Sequence, residues 1–285
     1  MWTQIAAHIS QTQPKFEIVS HRPVSGGCIN QGYGVSDGDC TYFVKLNQAA
    51  KVEMFAAEAL GLQEMMQANT ICVPKPICWG IVESSAYIVL GWLNLGAAKA
   101  DSWQQMGRNL AAMHRATGSS GFGWKQNNTI GSTPQINNWT TNWVEFYAQH
   151  RLGYQFQLAN RKGGHFPQQK ELLAALPQLL SHQVQPSLVH GDLWGGNAAF
   201  TEGGEPVIFD PAIYYGDREV DIAMTELFGG FPAAFYRAYN EAFPLEPGYE
   251  QRKPLYNLYH ILNHFNLFGG GYASQANRTI AQILS

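Results

Sequence analysis

Three side chains carry the chemistry this chain can do. Asp192 lies in His190-Gly191-Asp192, Asn197 follows it by five residues, and Asp210 closes the apolar run Pro206-Val207-Ile208-Phe209. One carboxylate can take a proton from an attacking hydroxyl. An Asn and a second Asp can hold Mg²⁺ on nucleotide phosphates, since Mg²⁺ prefers oxygen ligands. The runs Leu188-Val189 and Pro206–Phe209, with Glu202-Gly203-Gly204-Glu205 as a turn, predict one hairpin that brings all three to the same end. An isolated His-Gly-Asp or Asp-Pro usually marks a turn. The joint spacing is more specific and matches the catalytic loop and metal-binding Asp of the protein-kinase-like fold.

Such a site needs parts upstream to hold the nucleotide. Gly26-Gly27-Cys28-Ile29-Asn30 turns between two strand-like stretches, and a Gly-rich turn can lay backbone N–H groups over phosphates. Its spacing is not that of a Walker A loop, which disfavours a P-loop NTPase. Asp37-Gly38 signals a hairpin into Cys40–Leu46, a strand with Lys45 among apolar neighbours. Lys45 reads either as a snorkelling lysine or as the cation that grips the α- and β-phosphates of ATP. The helical pattern Val52–Met66 offers Glu58, flanked by Ala57 and Ala59, as the partner that aims Lys45. Glu53 is the fallback. Two further strands, Ile77–Val82 and Ala86–Leu90, lead to a hinge. There the backbone around Leu90, Gly91, Trp92 and Leu93 would read adenine.

Beyond residue 101 the pattern turns helical, with stretches at Trp139–Leu158, Gln168–Leu180, Pro232–Phe243, Tyr249–Phe268 and Ser274–Leu284. Asn127–Thr133 reads as a polar loop, and His114 as a core histidine. Asp221 is expected to be buried and to accept backbone N–H bonds from the catalytic loop, with His190 as a second supporting residue. The expected fold is α+β and bilobal. Residues 1–92 form an N-lobe of antiparallel sheet plus helix, and residues 93–285 a larger, mainly helical C-lobe.

Composition bounds the partners. Of 285 residues, 45% are hydrophobic and only 14% charged, with a formal net charge of -3. That gives no electrostatic case for nucleic acid or an anionic membrane. No apolar run approaches the ~20 residues that span a bilayer. The N-terminus lacks a basic start and long apolar run, so a cytoplasmic protein is expected, as a monomer or weak homodimer. The four cysteines, Cys28, Cys40, Cys72 and Cys78, fit no zinc spacing. Cys28, in the phosphate-covering turn, reads either as a redox-sensitive thiol or as a small turn residue.

Several stretches together resemble the fructosamine kinase (ketosamine-3-kinase) family. They are Gly26–Ile29, Phe43-Val44-Lys45-Leu46, Phe55 with Glu58, HGDLWGGN at His190–Asn197, FDPA at Phe209–Ala212, YGDREVDIA at Tyr215–Ala223, and Leu262-Asn263-His264. Related aminoglycoside and choline kinases share the His-Gly-Asp, Asn and Asp pattern, but not this Trp-Gly-Gly-Asn with YGDRE. The resemblance implies ATP-dependent phosphorylation of the sugar 3-hydroxyl of a small-molecule or protein-bound ketosamine, serving deglycation. Asp192 would be the base, Asn197 and Asp210 the Mg²⁺ ligands, and Trp194 a stacking surface for the acceptor or else a core residue. Gly91 departs from the family, whose hinge often carries an acid there. Kinases for other small hydroxyl acceptors, and a non-catalytic nucleotide-binding module, remain the alternatives.

Overall fold

The computed structural model describes residues 1–25, 29–118 and 120–285. The chain starts with helix α1 (Trp2–Ile9), which buries Ile5, Ala6 and Ile9. Strands β1 (Ser20–Val24), β2 (Gln31–Ser36) and β3 (Thr41–Gln48) follow, then α2 (Val52–Ala68), β4 (Pro76–Val82) and β5 (Ser85–Gly91). The five strands form one antiparallel sheet in the order β1-β2-β3-β5-β4.

Side chains alternate across this sheet, as the strand period requires. Val44, Leu46, Tyr87 and Val89 join α1 in a cluster on one face. Ala86, Ile88 and Leu90 point the other way, to Phe55, Ala59, Leu62 and Met65 of α2. Lys45 lies between Val44 and Leu46 and so falls on the α2 face, opposite Ile88 in the β3–β5 register. The period of two therefore places the one buried lysine of the sheet against the helix that carries Glu58.

Helix α2 and the inner sheet face belong to the same hydrophobic core as the rest of the chain. That remainder begins with the two-residue strand β6 (Leu95–Gly96), then α3 (Ser102–His114), a hairpin of β7 (Asn128–Ile130) and β8 (Thr133–Gln135), and α4 (Trp143–Phe146). A π-helical stretch, Tyr147–Gly153, joins α4 to α5 (Tyr154–Arg161), followed by α6 (Gln169–Leu179). Next come β9 (Ser187–Val189), β10 (Ala198–Thr201), β11 (Pro206–Ile208) and β12 (Tyr214–Gly216). Helices α7 (Glu219–Leu227), α8 (Ala233–Ala242), α9 (Tyr249–Phe268) and α10 (Tyr272–Leu284) complete the chain.

Three expectations change here. The segment Asn127–Thr133 is not simply a loop, because its amides turn inward and give it order. Asn128 Nδ2 donates to the Ile213 carbonyl at 2.9 Å, and Gln135 Nε2 to that of Ala212 at 2.9 Å. The helix expected from Trp139 starts instead at Trp143. Asn142 caps it by accepting the Glu145 N–H at 3.0 Å. Ahead of that cap, Thr140 is tied to Phe122 by backbone bonds in both directions.

The third change concerns the single hairpin expected over Ser187–Ala212. Strand β9 pairs with β12, whereas β11 pairs with β10. The missing strand is Ala198-Ala199-Phe200-Thr201, whose small residues hid it. The segment His190–Asn197 is thus strung between two separate small sheets. The second of these includes β6, where Gly96 pairs with Phe200 and Leu95 with Thr201. That contact ties the segment after the hinge to the hairpin that presents Asn197 and Asp210.

Candidate active site

Lys45 Nζ donates to Glu58 Oε1 at 2.7 Å and also to Asp210 Oδ1. A strand, a helix and the end of a distant hairpin therefore meet at one ammonium group. Its side chain is 7% exposed, against 46% for Asp210, so the cluster opens to solvent on the aspartate side. Burial alone would lower the lysine's proton affinity, but the charges of Asp210 and Glu58 outweigh it and hold the ammonium charged. Burial raises Glu58, and Lys45 pulls against that. Asp210 sits in the left-handed region, with φ +56°, a conformation that Asp tolerates better than bulkier residues.

The loop His190–Asn197 is bent through Gly191, at φ +81°. A Cβ there would lie 2.2 Å from the Ala212 carbonyl oxygen, so only glycine fits. His190 braces the turn. Its carbonyl accepts the Ala212 N–H at 2.8 Å and its Nε2 meets the Phe209 carbonyl at 2.9 Å. It therefore binds the residues on either side of Asp210 and Pro211. Asp221, at the start of α7, accepts the N–H groups of His190 at 2.6 Å and Gly191 at 2.8 Å. His114 Nε2 lies 3.0 Å from the same carboxylate, and Tyr239 OH 2.7 Å from His114 Nδ1.

Asp192 itself has few donors. Asn197 Nδ2 donates to its carbonyl at 2.8 Å and reaches its Oδ2 only at 3.4 Å. Burial pushes the Asp192 carboxyl up to about 7, with Asp210 and Asp221 adding to the rise and Asn197 opposing it. A carboxyl poised there can exchange a proton near neutral pH. The Asn197 amide spends its N–H on Asp192, which leaves its Oδ1 free to act, like the Asp210 carboxylate, as an oxygen donor of the kind Mg²⁺ takes.

Gly26, Gly27 and Cys28 lie outside the described residues. Ile29 and Asn30 are held by Asn47 on β3, whose Nδ2 donates to Asn30 Oδ1 at 2.7 Å and to the Ile29 carbonyl at 3.3 Å. At the hinge, Leu90 is buried in the core facing α2. The Gly91 N–H is bound to the Lys75 carbonyl at 2.7 Å, within the sheet, so its strand runs one residue further than expected. Trp92 packs beside Gly34 and under Arg22, and its Nε1 donates to Asn94 at 3.0 Å. Leu93 follows it, half-buried.

Trp194 stands 39% exposed, edge-on to Phe228 at 6.0 Å, and so is not a core residue. Its ring lies across Gly196, where a Cβ would meet it at 2.3 Å, which accounts for a glycine at that place.

Some participants were not singled out from sequence. Asn47 lay just past the expected strand Cys40–Leu46, and His114 read only as a core histidine. Glu64, on the same helix as Glu58, accepts from Trp124 Nε1 at 2.8 Å and pins α2 to the loop before β7. No local pattern marks these, because each works through a partner far along the chain. Among the described residues, His182, Asp217 and Glu219 also cluster within 4.8 Å. Their carboxylates are engaged by Tyr256 and Arg252, so the group anchors the start of α7.

Comparison with known proteins agrees with this architecture. A probable ketoamine kinase of Synechocystis is 60% identical over 286 residues, covering 99% of this chain and 97% of that protein. The chloroplastic protein-ribulosamine 3-kinase of Arabidopsis thaliana is 43% identical over 267 residues, 92% of this chain and 81% of that one. A crystal structure from Haemophilus somnus, whose protein carries the provisional name fructosamine-3-kinase, superposes with a TM-score of 0.94 at 32% identity. It covers 100% of this chain and 98% of its own. The fructosamine kinase family matches residues 1–285, and the chain belongs to that family.

Proposed function

We propose that this protein transfers the γ-phosphoryl group of ATP to the 3-hydroxyl of a ketosamine, and that it serves the removal of sugar adducts from amines. The observation that carries this reading is the convergence on one open cluster of Lys45, Glu58 and Asp210, with Asn197 and the donor-poor Asp192 beside it. Family membership and the names of the relatives supply the acceptor class.

In this reading residues 1–92 are the nucleotide lobe and 93–285 the acceptor lobe. Lys45, aimed by Glu58, holds the α- and β-phosphates, the turn Gly26–Asn30 covers them, and the backbone of Leu90–Leu93 reads adenine. Asn197 and Asp210 hold Mg²⁺, which neutralises phosphate charge when bound. Asp192 accepts the proton of the sugar 3-hydroxyl as its oxygen bonds to phosphorus and ADP leaves. His190 and Asp221 hold the loop that carries this base. Little covalent chemistry falls to the protein, and its contribution is positioning and charge.

Among the described residues no helix is long and apolar enough to cross a membrane. A cytoplasmic enzyme supplied with ATP, monomeric or weakly dimeric, fits the reading. The test is turnover with ribulosyl-lysine, fructosyl-lysine and erythrulosyl-lysine side by side, with the phosphorylated position read by ³¹P NMR. Phosphate on O3 of at least one is expected. ATP turnover with an amino-alcohol or aminoglycoside, and none with any ketosamine, would reverse the choice of acceptor.

A further inference from the structure

His260 on α9 faces Asp192 of the catalytic loop, and nothing so far gives it a task. It is 3% exposed. Its Nδ1 is buried without a hydrogen-bond partner among the described residues, and it points at Asp192 Oδ1 from 3.9 Å. A buried polar nitrogen without a partner is uncommon and calls for a reason.

The ring is not free to look elsewhere. Tyr259 packs edge-on against it at 5.1 Å, and its own carbonyl accepts from His264 Nδ1 at 2.8 Å. Burial, with the nearby His264 and Arg151 and against the pull of Asp221, keeps the imidazole neutral. A neutral ring has one N–H. A lone pair turned toward a carboxylate would be repelled, so Nδ1 is the nitrogen that carries the proton.

We propose that His260 is a positioning residue for the acceptor step. Its Nδ1–H closes onto Asp192 Oδ1 once an acceptor is bound and thereby presents Oδ2 to the incoming hydroxyl. Catalytic hydrogen bonds are often long in the free enzyme and tighten in the ternary complex. In the free enzyme the gap is 3.9 Å. Asn197 already lies near Oδ2, so a second contact at Oδ1 would fix the carboxylate plane. The proposal rests on Asp192 being the base.

Three variants test it with a ketosamine as acceptor. Asparagine places an amide N–H where Nδ1 stood, glutamine places one farther out, and leucine places none. His260→Leu should lower kcat about 10- to 100-fold, the range seen when a supporting partner of a functional group is removed. KM for ATP should stay near the wild-type value. His260→Asn should retain most of the turnover, and His260→Gln should fall between the two. Should His260→Leu fail to fold, the Asn-against-Gln pair still decides. Equal kcat in those two, or an Asn variant as slow as the Leu variant, would show that ring packing alone matters and overturn the proposal. A wild-type enzyme inactive on ketosamines would instead refute the substrate. Normal turnover in Asp192→Asn would refute the base.

Discussion

The loop His190–Asn197 and the start of α7 each supply one aspartate, Asp192 partly buried and Asp221 fully so, and the two carboxyls hold their protons in opposite ways. Burial drives both upward. At Asp221 the bond and charge of His114, then the His190 ring and the Gly191 N–H, outweigh burial and bring the carboxyl below its ordinary value. At Asp192 the only donor to the carboxylate among the described residues is Asn197 at 3.4 Å, and the carboxyl rises to about 7. Donor count, more than depth, separates the two. The well-bonded carboxylate is a bracket for the backbone, and the poorly bonded one is left available to a hydroxyl proton.

The largest effect expected from breaking this contrast is at Asp192. Asp192→Asn should lower kcat about 1,000-fold, within the usual range for loss of a general base. ATP binding, measured by calorimetry, should hardly change. The same variant should gain stability at high pH. A raised folded pKa means that the fold favours the protonated form, so the stability it supports is present below about pH 4 and lost as pH rises through about 7. Asn carries no charge to bury. At pH 8 it should unfold later than wild type by about 1–2 kcal/mol, discounted for partial exposure. The gap should close at pH 4. An Asn variant that is less stable than wild type at pH 8 would contradict the donor-poor description of this site.

The converse holds for Asp221. Asp221→Ala leaves two buried N–H groups and His114 without their acceptor, at a cost of about 3 kcal/mol or more. Its folded pKa is depressed, so the wild-type advantage is present above the ordinary aspartate range and is lost as pH falls below about 4. Thermal unfolding of the two proteins should therefore differ most near neutrality and converge in acid. Turnover should fall as well, since the loop that carries Asp192 loses its bracket. A variant with wild-type melting temperature at pH 7 would remove Asp221 from this role.

Glu58 sharpens the contrast from a third side, because its main partner is a cation rather than N–H groups of the backbone. Glu58→Gln leaves Lys45 paired with Asp210 alone. The lysine is then drawn toward Asp210 and off the position proposed for the phosphates. KM for ATP should rise about tenfold, the loss of one charge-assisted contact. KM for the acceptor should stay the same, and a rise in both would place Glu58 outside nucleotide binding.

How much of this was readable from the sequence follows from the range of each interaction. The alternation of β3 put Lys45 on one face, the helical spacing offered Glu58, and the positions of Asp192, Asn197 and Asp210 are local to one segment. Each of those signals lies within a few residues. The strand pairing was not readable, because β9 closes on β12 and not on β11, and a three-residue strand carries too little pattern to choose its partner. Asn128 looked like a loop residue, and nothing marked Gln135, because inward-facing amides and solvated ones have the same letters. The carbonyls they bind, at Ala212 and Ile213, are about eighty residues away. His260 was hidden for the same reason, since only the approach of α9 to the catalytic loop sets it against Asp192.

The smallest expected effect tests whether the acceptor meets the open side of this loop. Trp194 carries no charge, and what ties it to Asn197 is its backbone carbonyl, which accepts the Asn197 N–H at 2.9 Å and survives a change of side chain, so loss of the ring should leave Asp192, Asn197 and Asp210 in place. What it offers is an exposed ring, propped by Phe228, two residues after Asp192. A sugar or amine held on such a face gains about 0.5–1.5 kcal/mol, which is roughly a two- to tenfold change in affinity. Trp194→Ala should therefore raise KM for the ketosamine by about that factor while KM for ATP is unchanged. A rise in both constants would mean that the ring supports the loop beneath it, through its contact with Gly196. No change in either would move the acceptor off this side of Asp192. The hydroxyl would then have to reach the base from elsewhere, and the exposed aromatic face would need another explanation.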